Sequence, residues 1–199
     1  ALGRQSLPMW QALVRRFNPQ PDRLTRYPGS PALAQMLLRA DDRMRLYELH
    51  STDFPLLQTA LETRRETAVM NSDGFAGLKA ELPPPSRRGV VLIDPSYEIK
   101  TDYARVTQGI QDALKRFATG CYLVWYPIIA RPEAHQLPRR LKTLATQAER
   151  PWLHATLSIG HGQTPARGLT ASGMFIINPP HVLADQLRAA LPIVVQALG

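Results

Sequence analysis

The stretch "GVVLIDPSYE" (Gly89–Glu98) decides how the chain is read. Val90, Val91, Leu92 and Ile93 form an unbroken apolar run, three of the four β-branched, the pattern of a strand covered on both faces rather than on one. An acid, a rigid proline and an aromatic ring follow at once, where such a strand must end. The same grammar recurs upstream. "MRLYELH" (Met44–His50) reads as a strand, and "STDFPLLQTALETRRE" as a helix with Ser/Thr/Asp caps and an early Pro55. "TAVMNSDG" is a second strand, followed by the short helix "FAGLKAEL" and the stop Pro83-Pro84-Pro85.

Downstream, "TDYARVTQGIQDALKRF" places Val106, Ile110, Ala113, Leu114 and Phe117 at helical spacing, and Gly120 ends it. "CYLVWYPII" is a fourth strand, and "RPEAHQLPRRLKTLATQ" a helix interrupted at Pro138. "WLHATLSIG" and "GMFIINPP" form a closing pair of strands around the loop "HGQTPARGLTAS", and "VLADQLRAALPIVVQAL" is the last helix. Strand–helix alternation with short connections predicts an α/β fold. Its sheet is open and mostly parallel, has helices on both faces, and ends in a closing antiparallel strand. Such sheets bind ligands at the carboxyl ends of their strands. Glu48, Asp73 and Asp94 stand at three successive strand ends, 25 and 21 residues apart, one strand–helix unit each. An acid there also serves simply to cap the next helix, but three at one edge suggest acceptors for ribose hydroxyls or an exocyclic amine.

Composition narrows the class. The 199 residues, 44% hydrophobic, suffice for one sizeable core and favour a single domain over residues 1–199. No apolar run approaches the roughly 20 residues that span a bilayer, and no signal peptide is expected. A lone cysteine, Cys121, excludes an internal disulfide and fits a reducing, cytoplasmic setting. Lys and Arg number 24 against 16 acids, a net charge of +8. Arginine pairs recur at 15–16, 64–65, 87–88 and 139–140. That excess points to a polyanion, nucleic acid first, although a generally basic proteome gives the same bias. His135, His154 and His161 lack metal-ligand spacing, and no metal is expected. No phosphate-loop motif is present.

The segment "IDPSYE" suits one reaction. An adenine N6 amine is a poor nucleophile because its lone pair is delocalised into the ring. A carboxylate and a backbone carbonyl that accept its two N–H groups favour a pyramidal nitrogen, and an aromatic ring can hold the extruded base. Asp94 supplies the carboxylate and Pro95 the carbonyl. Tyr97 supplies the expected stacking face, and Ser96 lines the same base site. A second near-match, "INPPH" (Ile177–His181), keeps two prolines but lacks the aromatic residue, and reads as a strand end leading into the last helix.

These strings resemble a known family. "RYPGSP" (Arg26–Pro31), "YELHSTDFPLL" (Tyr47–Leu57), "SDGF" (Ser72–Phe75) and "PPSRRGVVLIDPSYEIKTDY" (Pro84–Tyr103) are similar to the RlmJ family of bacterial 23S rRNA (adenine-N6) methyltransferases. "KRFATGCYLVWYP" (Lys115–Pro127) and "GLTASGMFIINPP" (Gly168–Pro180) extend the likeness over nearly the whole chain. The resemblance implies a Rossmann-like class I fold and S-adenosylmethionine as methyl donor. It also implies a protein-free or assembling 23S rRNA as partner, the bacterial cytoplasm and a monomer. It implies that Ser30 contacts the cofactor, Glu48 its ribose, Asp73 and Gly74 its adenine end, and Asp94 both cofactor and target amine.

Two departures stand out. Ser96 replaces the family's second proline, relaxing the backbone while keeping the Pro95 carbonyl. No Gly-rich turn precedes Ser30, so the chain is expected to lack the family's first strand and part of its cofactor site, with residues 1 to about 25 a remnant of a helical insertion. The competing readings are a DNA adenine-N6 methyltransferase and a non-catalytic RNA-binding remnant. Lys100, Arg87 and Arg88, flanking the third strand, are the expected RNA phosphate contacts.

Overall fold

The computed structural model describes residues 3–18, 20, 23–62, 66–159 and 169–198. Arg64, Arg65 and His161 lie outside the described residues. The chain divides into two compact units, residues 1–77 and 78–199.

In the first unit, α1 (Gly3–Phe17) is followed by α2 (Ser30–Leu37), β1 (Met44–Tyr47), α3 (Asp53–Leu61) and β2 (Thr67–Met70). β1 and β2 pair in parallel, Met44 opposite Thr67 and Tyr47 opposite Met70. A buried asparagine organises the entry to this unit. Asn18 Nδ2 donates to Val14 O (2.8 Å) and Arg26 O (2.9 Å), while its Oδ1 accepts from Thr25 N (2.8 Å) and Arg26 N (2.9 Å). One side chain thus closes the end of α1 onto the segment leading to Gly29 and Ser30, satisfying backbone groups that burial would otherwise leave costly. Gln35 Nε2 similarly donates to Leu61 O (2.6 Å) and Thr67 Oγ1 (3.2 Å), tying α2 to the end of α3 and the start of β2. α4 (Gly74–Glu81) begins in this unit.

The second unit contains β3 (Val90–Ile93), α5 (Thr101–Arg116), β4 (Cys121–Pro127), α6 (Pro132–Gln147), β5 (Trp152–Ser158), β6 (Ala171–Ile177) and α7 (Leu183–Leu198). Its four strands run in the order β3-β4-β6-β5. β3 and β4 are parallel, and β6 runs antiparallel to both of its neighbours, β4 and β5. The expected α/β organisation with a closing antiparallel strand is therefore present, and that strand is inserted between β4 and β5 rather than added at an edge.

Most of this unit's core lies on one sheet face, with Ile176 of β6 buried on the other. Tyr122, Val124 and Tyr126 of β4 and Phe175 and Ile177 of β6 are buried on the first face. Val106, Ile110 and Ala113 of α5 and Leu137, Leu141 and Ala145 of α6 are buried with them. Tyr122 Oη donates to Phe117 O at 2.7 Å, pinning the end of α5 to the sheet.

Two expectations are corrected. β3 is not covered on both faces: Val90 and Leu92 are 73% and 45% exposed, and among the described residues β3 pairs only with β4. An apolar strand pattern records what a strand can be packed against, not how much of each face is covered. The helix read as interrupted at Pro138 is continuous, with Pro138 inside α6. Its lost backbone bond is outweighed by burial of the Ala134, Leu137, Leu141 and Ala145 stripe.

The second proline motif is structural. Asn178 adopts a left-handed φ of 53°, and its Nδ2 donates to Ala118 O (2.8 Å) and Gly120 O (2.7 Å). Asn178→Ala should cost about 2 kcal/mol, two lost hydrogen bonds and an alanine in left-handed backbone. Asn178→Gly should recover the backbone part alone, and denaturant unfolding of the two variants checks the difference.

Candidate active site

In the first unit, the register of β1 and β2 brings two acids to one sheet edge. Glu48 directly follows β1, and its backbone N–H donates to Met70 O at 3.0 Å, extending the parallel ladder by one step. Its Oε1 accepts from His50 N at 2.8 Å, which fixes the turn and the carboxylate together. Asn71 Nδ2 donates to Glu48 O at 2.9 Å, linking the loop after β2 to the loop after β1. Asp73, three residues past β2, receives Phe75 N on Oδ1 at 3.0 Å, while Gly77 N donates to its carbonyl at 3.0 Å. It thereby caps α4, and Gly74 is the first helical residue. Tyr47 lies over Gly77, where a Cβ would come within 2.3 Å of its ring. Ser30 opens α2 behind Gly29 and is exposed.

A carboxylate at a parallel sheet's carboxyl edge, with one oxygen committed to its own turn, can accept from a vicinal diol with the other. Glu48 meets that condition: its carboxylate makes a single hydrogen bond, through Oε1, among the described residues. A ribose diol, which donates through its hydroxyls, suits this acceptor.

In the second unit, Asp94 directly follows β3 and Pro95 stands beside it, half-buried. Solvent reaches the Asp94 side chain, yet protein crowds its carboxyl from one side. That partial loss of hydration pushes its pKa above the ordinary aspartate value. Ser96 is exposed, with Oγ 3.5 Å from Glu98 N.

Tyr97 departs from its expected role. Its ring is 2% exposed, so it offers no open face for a base to stack on. The backbone at Tyr97 is left-handed, φ 55°, which an aromatic residue adopts only under outside constraint. This geometry turns the side chain inward, where Tyr97 Oη donates to Trp125 O at 2.7 Å and the ring packs on Tyr103 (centroids 4.7 Å apart) and Trp125 (6.3 Å). Burial first, and the nearby Asp94 charge second, hold its phenol far above the usual range, so it stays a donor. Arg131, just before α6, completes the loop's surroundings. One of its terminal nitrogens, Nη1, donates to Tyr97 O (3.0 Å) and Glu98 O (3.2 Å). Nothing in the local sequence marks Arg131, which stands 34 residues from Tyr97.

The family model described as "Ribosomal RNA large subunit methyltransferase D, RlmJ" matches residues 5–199. The chain belongs to this family. Among curated RlmJ proteins, "Ribosomal RNA large subunit methyltransferase J" of Escherichia coli (strain K12) is 45% identical over 180 residues, 90% of this chain and 62% of the relative. The protein of the same name from Haemophilus influenzae is 41% identical over 186 residues, 94% of this chain and 65% of the relative. The chain therefore spans a little under two thirds of the length of these two relatives. A crystal structure of a Legionella pneumophila protein superposes with a TM-score of 0.86 at 31% identity, covering 99% of this chain and 73% of that one. Among the described residues no group of His, Cys, Asp or Glu is placed to hold a metal, and no helix is long and apolar enough to cross a membrane.

Proposed function

We propose that this protein transfers a methyl group to the N6 amine of an adenine in 23S ribosomal RNA, with S-adenosylmethionine as donor. The observation that carries this reading is Asp94. It is a carboxylate of raised pKa at the tip of β3, in a loop whose backbone is anchored at Tyr97 and Glu98.

Asp94 accepts one N–H of the amine, and the Pro95 carbonyl accepts the other. Together they localise the nitrogen lone pair and aim it away from the ring. As the new N–C bond forms, the nitrogen becomes cationic and releases a proton. A carboxylate made more basic by desolvation is the better acceptor for it. The cofactor, when bound, would supply a methyl group on a sulfonium, whose sulfur keeps the electron pair of the broken S–C bond and leaves as a neutral thioether. Glu48 would hold its ribose hydroxyls, and Asp73 and Gly74 its adenine end, with Ser30 a further contact. Exposed Arg87, Arg88 and Lys100 flank β3 and suit phosphate contacts, consistent with the net charge of +8.

Protein-free 23S rRNA incubated with the protein and labelled S-adenosylmethionine should acquire label, and digestion to nucleosides should find it in N6-methyladenosine. Label in another nucleoside would overturn the N6 assignment. A preference for duplex DNA over the RNA would overturn the substrate.

A further inference from the structure

We propose that Arg131 is a positioning residue for the Asp94 loop, holding its backbone in shape through the carbonyls of Tyr97 and Glu98; the proposal rests on the reading of Asp94 given above. The loop needs such an anchor. Tyr97 sits at φ 55°, a conformation that costs an L-residue roughly 1–2 kcal/mol and persists only where surrounding contacts impose it.

Few polar contacts are available to do so. Tyr97 Oη bonds Trp125 O and fixes the side chain, but it does not fix the peptide planes that follow. The hydroxyl of Tyr103, buried under the loop, has no hydrogen-bond partner among the described residues. The contact of Ser96 Oγ with Glu98 N, at 3.5 Å, is long. Lys100 and Glu133 are 3.9 Å apart, with the lysine largely in solvent, a weak tether. Among the described residues, Arg131 Nη1 alone reaches two successive carbonyls of this loop, spending its two hydrogens on the peptides that leave the strained residue.

Arg131 is itself held in place from below. Its backbone is extended (φ −127°, ψ 131°), the conformation that the following Pro132 favours, and its N–H donates to Ile129 O at 2.7 Å. The guanidinium therefore projects from a fixed base at the start of α6. Because Tyr97 is three residues from Asp94, releasing its carbonyl frees the peptides that set the direction of the Pro95 carbonyl and the Asp94 carboxylate. Small misplacements of that kind lower turnover while leaving ground-state binding nearly intact.

The test uses Arg131→Met, which keeps the stem and removes the donors, and Arg131→Lys, which restores a charge and a donor at shorter reach. Two quantities are read: amide hydrogen exchange of the 96–100 segment by mass spectrometry, and kcat and KM for methylation of protein-free 23S rRNA. In Arg131→Met, exchange in 96–100 should rise at least roughly tenfold with β4 unchanged, and kcat should fall roughly ten- to a hundredfold with KM within about twofold. Arg131→Lys should lie between this variant and wild type in both. Wild-type exchange in 96–100 of Arg131→Met overturns the proposal. So does an unchanged kcat in that variant when Asp94→Asn is inactive. If instead Asp94→Asn remains active, the role given to Asp94 fails, while accelerated exchange would still establish the anchor. Should Arg131→Met lose its fold, Arg131→Lys carries the same readings, and wild-type values for both overturn the proposal.

Discussion

Asp94→Asn should slow methyl transfer by roughly a thousandfold while leaving the fold intact. The amide keeps the size of the carboxylate and can still accept one N–H through its oxygen, but it cannot take up the proton that the alkylated nitrogen must lose. Single-turnover rates with labelled S-adenosylmethionine measure the effect, and a rate within tenfold of wild type would remove Asp94 from the role of acceptor. The pH profile of the wild-type protein carries the same signature. Because desolvation raises the Asp94 pKa, its rate should fall on the acid side at a higher pH than an ordinary aspartate would give.

Stability should respond with the opposite sign. A carboxyl whose folded-state pKa lies above its unfolded value opposes folding wherever it is ionised in both states. That opposition is present at neutral pH and disappears as pH falls through the folded and then the unfolded pKa. Asp94→Asn should therefore melt slightly higher than wild type near pH 7 and no higher below the normal aspartate range. A lower melting temperature at pH 7 would mean that the carboxylate is stabilised by a partner.

Tyr97→Ala should cost roughly 3–5 kcal/mol, enough to threaten the folded state of a domain of ordinary stability. It removes a fully buried ring from between Tyr103 and Trp125, deletes the bond to Trp125 O and leaves an L-residue at φ 55°. Tyr97→Phe keeps the ring and loses only the hydroxyl, at a cost of about 1–2 kcal/mol for the stranded carbonyl. Urea unfolding of both variants separates packing from hydrogen bonding. Were the ring an open platform for a base, both substitutions would leave stability nearly unchanged and raise KM for RNA instead.

The candidate site was legible in part. Asp94 and Glu48 are found directly after β3 and β1, because the patterns that encode those strands, an apolar run in β3 and the alternation Met-Arg-Leu-Tyr in β1, are local and end where the two acids stand. Asp73 is three residues past β2 and caps α4, the modest structural use that an acid before a short helix invites. The direction of the Tyr97 ring was not legible. Side-chain direction after a left-handed residue depends on what lies beneath, and here that is Trp125 and Tyr103, 28 and 6 residues away. Arg131 was invisible for the same reason, as was Asn18, whose five hydrogen bonds assemble only once α1 and the segment before α2 meet.

The sequence by itself determined the alternation of strands and helices, the positions where strands stop, and which residue types stand at those stops. All of these follow from patterns spanning a few residues: apolar runs, helical spacing, prolines and glycines. Tertiary structure alone decided that β6 slots between β4 and β5, that α6 runs unbroken past Pro138, that Val90 and Leu92 remain open, and that Tyr97 is an anchor rather than a platform. The placement of β6, the unbroken α6 and the inward Tyr97 are each a competition between a local preference and burial or hydrogen bonding supplied by distant residues. The distant term is larger, by about a kilocalorie per bond and several per buried ring.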